Sequence, residues 1–163
     1  MRFLYTIIIY ITFSLIPVPA KSQVPNSQID TIVKLHNFYR NVVGVPDIAW
    51  SQDLAQKAQQ WADQIAKYPL ITHNDLGFTQ NIFYTYDTTR LYEAVNFWAK
   101  EQIFYHGQTL NDTNIYLFRH YTAIIWHDTK YIGCGLARLK SGIYVMVCFY
   151  SPSGNILGEK PVK

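Results

Sequence analysis

Residues 142–150, GIYVMVCFY, constrain the fold more than any other stretch of this chain. Side chains along a strand point alternately to opposite faces. Ile143, Val145, Val147 and Phe149 therefore share one face, and Tyr144, Met146, Cys148 and Tyr150 share the other. Both sets are largely apolar, so both faces of the sheet must be covered. A partner strand is predicted over residues 131–139, with Ser141-Gly142 as the turn between them. Something upstream has to supply two covering layers.

The upstream sequence offers helices. Ile29, Ile32, Val33, His36 and Tyr39 fall along one side of a predicted helix over residues 28–43, which Gly44 and Pro46 end. Ser51 is placed to cap a second helix, in which Leu54, Ala58, Trp61, Ala62 and Ile65 form one apolar stripe, closed by Pro69. Residues 71–77 read as a loop and residues 81–86 as a short strand. Asp87, Thr88 and Thr89 offer caps for a third helix running to about Tyr105, with Ala94, Val95, Trp98 and Tyr105 buried. A short helix is expected over RHYTAIIW, residues 119–126. Helices come first and the hairpin last, which predicts an α+β domain with its sheet between helical layers.

Residues 1–22 stand apart from this pattern. Arg2 precedes an apolar run over residues 3–16, and Val18 and Ala20 are small residues before a cleavage site. This reads as a secretory signal peptide; the run is short for a membrane span, which needs roughly 20 residues. An uncleaved anchor is the alternative. Residues 23–163 then form a single exported domain. The net charge of +3 is spread without a Lys/Arg stripe, so a nucleic-acid partner is not expected.

Export decides how the cysteines read. Cys134 and Cys148 are the two in the chain, and both lie in the predicted hairpin. A bridge across it is expected in an oxidising compartment, stabilising by roughly 2–3 kcal/mol; a reduced buried pair is the alternative. Asn111-Asp112-Thr113 is a glycosylation sequon if the source is a eukaryote.

Two residues conflict with their surroundings. His120 stands at the lip of the apolar run 123–126. Glu101 follows Trp98 by three residues and precedes Tyr105 by four, which puts a carboxylate on a buried helical face. An unpaired buried charge is very costly, so Glu101 either reaches water or meets a partner such as His120. His73 sits in a polar loop with Asn74 and Asp75. Gln80 precedes the first predicted strand. Spacing alone does not join these four residues.

The motifs together resemble the CAP superfamily, which includes plant pathogenesis-related proteins of class one, insect venom antigen five and the cysteine-rich secretory proteins. LHNFYR at 35–40 and DIAWSQDLAQKAQQWA at 47–62 look like its first two helices. HNDLGFTQNI at 73–82 is similar to the family loop that runs from a His to Gly-Glu-Asn-Ile. FWAKEQIFY at 97–105 resembles the helix with Trp, Glu and Tyr. RHYTAIIW and VCFYSPSGN at 147–155 resemble the two family signatures. The resemblance covers about residues 28–158.

That resemblance implies a three-layer α-β-α sandwich of the CAP type with a central cleft. His73, Gln80, Glu101 and His120 are the positions carried over to the cleft, with His73 and His120 as ligands for zinc or another divalent cation. Two departures weaken an enzymatic reading. Gln80 stands where the family has glutamate, and an amide is neither a general base nor a negative ligand. Arg119 stands where glycine is common and adds positive charge. The resemblance therefore implies a secreted, extracellular binding module rather than an enzyme. Its partner would be a sterol, a fatty acid or another protein, and any metal site in the cleft would be weak. The alternatives are a metal-dependent hydrolase with Glu101 as base, and a defence or signalling effector that releases a C-terminal peptide. Residues 152–162 resemble the tail processed in plant members but lack its final tyrosine.

Overall fold

The computed structural model describes residues 23–69 and 76–163. The expected signal peptide and His73 lie outside the described residues. The elements run α1 (Asn26–Val42), β1 (Ala49–Trp50), α2 (Gln52–Lys67), β2 (Thr79–Thr85) and α3 (Glu93–Ala99). A 3-10 turn (Lys100–Phe104), α4 (Ile115–Ile124), β3 (Tyr131–Arg138) and β4 (Tyr144–Ser151) complete the chain. The strands form one sheet in the order β1-β3-β4-β2. β4 is antiparallel to both neighbours, and β1 joins β3 in parallel.

The alternation in β4 sorts the core into two layers. Val145, Val147 and Phe149 pack against Leu54, Ala58, Ala62 and Ile65 of α2. Met146, Cys148 and Tyr150 face the opposite way, onto Ile32 of α1, Trp98 of α3 and Tyr121 of α4. One helix covers one face and three cover the other, giving an α-β-α sandwich. Ser51 caps α2, its Oγ accepting the Leu54 N–H at 3.3 Å. Cys134 and Cys148 are directly opposed in the β3–β4 register and form a disulfide, with Cα atoms 4.1 Å apart.

α2 lies very close to β3, and two glycines allow it. A Cβ on Gly133 would stand 2.2 Å from the Ala55 backbone nitrogen, and one on Gly135 would stand 2.2 Å from that of Gln59. The helix backbone therefore occupies the space of the missing side chains.

Two expectations are corrected. The third helix is not continuous to Tyr105: α3 ends at Ala99 and tightens into the 3-10 turn, with no buried residue between Lys100 and Phe104. Nor does it start at Asp87, whose carboxylate instead bonds the Thr89 N–H and hydroxyl. The short polar side chain competes with helix for the local donors. β1 was not foreseen. Two residues carry no periodicity, and their strand exists through pairing with Tyr131 and Ile132.

Candidate functional site: an acid–imidazole clasp beside a polar cleft

α4 is two helical pieces joined at Phe118, whose φ of −148° and ψ of 18° break the regular path. A helix that restarts leaves its first N–H groups without partners inside the helix. Glu101 supplies those partners from the neighbouring 3-10 turn. Its Oε2 accepts the N–H of His120 at 2.8 Å and that of Tyr121 at 3.3 Å. Its Oε1 meets Nδ1 of the His120 ring at 2.5 Å. The carboxylate thus caps a helical segment and orients an imidazole together. A negative group at a helix N-terminus is also favoured by the helix dipole. Both side chains are about four-fifths buried, at 23% exposure for Glu101 and 21% for His120.

A second network supports His120 from beneath. Asn81 on β2 donates through Nδ2 to the His120 carbonyl and to the Tyr150 hydroxyl, both at 3.0 Å. Tyr150 lies 2.9 Å from Nε2 of His36, and Nδ1 of His36 lies 2.8 Å from the Ile32 carbonyl. A carbonyl only accepts, so Nδ1 carries the proton and Nε2 accepts from Tyr150. Burial pushes the His36 pKa down to about 4 and pushes the Tyr150 hydroxyl up. Both groups are therefore neutral at physiological pH. His36 was legible only as part of an apolar helical stripe. Asn81 and Tyr150 gave no sign of joining α1 to α4 through the sheet.

Arg40 performs a similar task at the other end of α4. Its guanidinium is fully buried. It donates to the carbonyls of Ile124 at 2.8 Å, Trp126 at 2.9 Å and Thr129 at 2.9 Å, and through Nε to Pro46 at 2.6 Å. A cation at the C-terminal end of a helix satisfies orphan carbonyls and complements the dipole. Burial lowers its pKa to about 10, which still leaves it charged at neutral pH.

Gln80 sits next to Asn81 on β2 but pairs with Phe149 on the α2 side of the register. With Arg119, Ile115 and Asn155 it lines a cleft of about 360 Å³. Arg119 leans on Tyr116, its guanidinium carbon 5.9 Å from the ring centre. The structure therefore brings Glu101 and His120 into contact and places Gln80 and Arg119 along one cleft. Asn111, the sequon residue, is exposed, and its side-chain oxygen accepts the Thr113 and Asn114 N–H groups at 2.9 Å.

Among the described residues, no three His, Cys, Asp or Glu side chains stand close enough to hold a metal ion. His120 has the arrangement of a ligating imidazole, because a carboxylate holds one ring nitrogen and leaves Nε2 for another partner. One imidazole does not make a zinc site. The described residues alone do not fit a resident metal.

The segment after β4 is tied into the fold. Thr122 donates to the Asn155 side chain at 2.7 Å, and Asn155 donates to the Arg119 carbonyl at 2.8 Å. Further on, the Leu110 N–H bonds the Glu159 carbonyl and the Gly158 N–H bonds the Leu110 carbonyl, both at 2.8 Å. The His127 N–H bonds the Pro161 carbonyl at the same distance, and Pro161 is buried.

The family model for cysteine-rich secretory proteins, CAP, matches residues 33–150. The chain belongs to the CAP family. The basic form of pathogenesis-related protein 1 from Nicotiana tabacum is 31% identical over 162 residues, 99% of this chain and 89% of that protein. Pathogenesis-related protein 1 of Arabidopsis thaliana is 30% identical over 144 residues, 88% of this chain and 86% of its own length. Among solved structures, NaASP2 with Zn2+ superposes with a TM-score of 0.75 at 20% identity, covering 90% of this chain and 89% of that one. BmVAL-1 gives a TM-score of 0.73 at 23% identity, covering 90% and 86%. These likenesses establish the CAP fold. The family is generally extracellular.

Proposed function

We propose that this CAP protein is a secreted binding module that takes up a hydrophobic small molecule, a sterol or a fatty acid, away from the His120–Glu101 pair. The observation that carries this reading is a groove of about 530 Å³ beside α2, lined by Trp61, Leu76 and Phe78, with Lys57 and Gln64 also in its lining. Its volume is within the usual range for small-molecule sites, roughly 300–1,000 Å³. Leu76 is 58% exposed, a large apolar side chain left facing solvent. Lys57 lies over the Phe78 ring, 5.5 Å from its centre, with its ammonium paired to Asp53 at 2.7 Å; a fatty-acid carboxylate would have to share that ammonium with Asp53. The sheet separates this groove from His120 and Glu101.

Hydrolysis is supported less well. A general base needs a free lone pair facing the substrate. Both oxygens of Glu101 already accept protein hydrogen bonds, and Gln80 offers an amide. Release of a C-terminal peptide is also less favoured, because that segment is held by backbone bonds to Leu110 and His127.

Binding of labelled cholesterol and of a labelled fatty acid tests the reading. Wild type and a folded His120→Ala variant should bind equally, and Trp61→Ala should bind more weakly. Loss of binding in folded His120→Ala would show that the groove is wrongly placed. Binding of neither lipid by wild type would turn the reading towards a protein partner.

A further inference from the structure

We infer that the cleft between the start of α1, β1 and the outer side of α2 binds a neutral saccharide. It is about 310 Å³ in volume, and its lining includes Asn26, Trp50, Gln52, Gln56, Gln60 and Asp63. It adjoins the apolar groove of the proposed function, with Gln60 lining both, but its other lining residues differ and the inference does not depend on that reading.

The sequence gives α2 an unusual outer side. Gln52, Gln56 and Gln60 recur every four residues, so they lie one above another on a helix. All three are exposed, while Leu54, Ala58 and Ala62 fill the opposite, buried stripe. On a convex surface such a row would be no more than a solvated face. Here it borders a concavity whose floor includes the buried residues Ala55 and Cys134. Trp50 forms one side, and its indole nitrogen lies 3.4 Å from the Gln52 side-chain oxygen.

The lining chemistry narrows the ligand. Each primary amide offers two donors and one acceptor at no net charge, which matches hydroxyl groups that both give and take hydrogen bonds. An indole beside an apolar floor suits the C–H face of a sugar ring. Among the described lining residues no Lys or Arg is present, and Asp63 is the one charged side chain, which disfavours phosphate, sulfate and carboxylate ligands. A wholly apolar ligand would strip water from the amides without replacing its hydrogen bonds.

An extended peptide is disfavoured by Gln59. Its side chain already donates to the Leu136 carbonyl at 2.8 Å and accepts the Leu136 N–H at 2.9 Å. That amide occupies the edge of β3 where an added strand would pair.

The test is a nuclear magnetic resonance titration of the secreted protein with tetrasaccharides of glucose, N-acetylglucosamine and xylose. At least one should shift the Trp50 indole and Gln56 side-chain amide signals saturably. Trp50→Ala and Gln56→Leu should each weaken that ligand about tenfold, whereas Trp61→Ala should not. Trp50→Phe keeps an aromatic wall and should retain most of the affinity, which separates lost stacking from lost folding. No shift with any of the three overturns the inference. So does a saccharide that binds Gln56→Leu and Trp50→Ala as well as wild type, and so does a preference for sulfated over neutral chains.

Discussion

Glu101 holds His120 at two points, taking the ring Nδ1 at 2.5 Å with one carboxylate oxygen and the backbone N–H at 2.8 Å with the other. The second contact exists because α4 breaks at Phe118 and restarts with unpaired donors. Glu101→Ala should therefore lower unfolding free energy by about 2–3 kcal/mol. Glu101→Gln should lose less, since one amide oxygen can still accept while the NH2 group faces a donor. Urea denaturation of the three proteins checks this. An alanine variant as stable as wild type would mean that the carboxylate caps nothing.

Arg40 makes a sharper prediction. Its guanidinium is shared among the carbonyls of Ile124, Trp126 and Thr129, of which Trp126 also accepts the Thr129 N–H at 3.2 Å. Arg40→Met fills similar space but takes the guanidinium donors away from those oxygens, and it should cost about 3–5 kcal/mol. Arg40→Lys keeps the charge yet cannot span the fork, so it should fall between wild type and Met. If Lys and wild type melt together, charge alone holds the turn after α4.

Gly135 tests the close approach of α2 to the sheet. An added Cβ would meet Gln59 N, Gln59 Cα and Ala58 C at 2.2, 2.3 and 2.5 Å. All three atoms are helix backbone, which cannot swing aside as a side chain does. Gly135→Ala should destabilise by about 2–3 kcal/mol or more, read as a lowered denaturation midpoint with an unchanged m value. No change in midpoint would show that α2 can slide outward at little cost.

The sandwich was legible because its signal is local and repeated. Residues 143–150 show two apolar faces, and each long helix repeats its stripe over several turns. The clasp was half legible. Helical spacing put Glu101 among buried rings and demanded a partner, while family resemblance supplied His120. What could not be read was why the partner is also a backbone N–H. The break at Phe118 has no Gly or Pro to announce it, and Phe118 is buried in a cluster with Leu110 and Trp126. The Asn81–Tyr150–His36 chain was hidden for a different reason. Its members are 69 and 114 residues apart, and no periodicity links positions at such distance.

Metal binding at His73 and His120 is a proposal that Gln80 can decide. Zinc titration by calorimetry should show weak binding to wild type, tighter binding to Gln80→Glu and none to His120→Ala. A second carboxylate near the cleft adds a ligand or local negative charge. Equal affinity in wild type and Gln80→Glu would mean that the amide is not what limits the site.

His36 should make the protein acid-sensitive well above the carboxylate range. It is fully buried, and its pKa falls from the ordinary 6.5 to about 4 because burial disfavours the charged ring. Nearby Arg40 adds repulsion in the same direction, while the hydrogen bond to Ile32 opposes it. The unfolded chain therefore binds a proton between pH 6.5 and about 4 that the folded chain refuses. Stability from this group is complete above pH 6.5 and declines as pH falls towards 4. The interval corresponds to roughly 3 kcal/mol. His36→Gln removes the titrating group while keeping an oxygen and an amide for Ile32 and Tyr150. Wild type should lose stability between pH 7 and pH 4.5, whereas His36→Gln should start lower and lose clearly less over the same range. Chemical denaturation at each pH gives both slopes. Parallel slopes would place the acid sensitivity in another group; a carboxylate such as Asp128, which Lys163 and His127 hold below the usual range, loses its contribution only at lower pH.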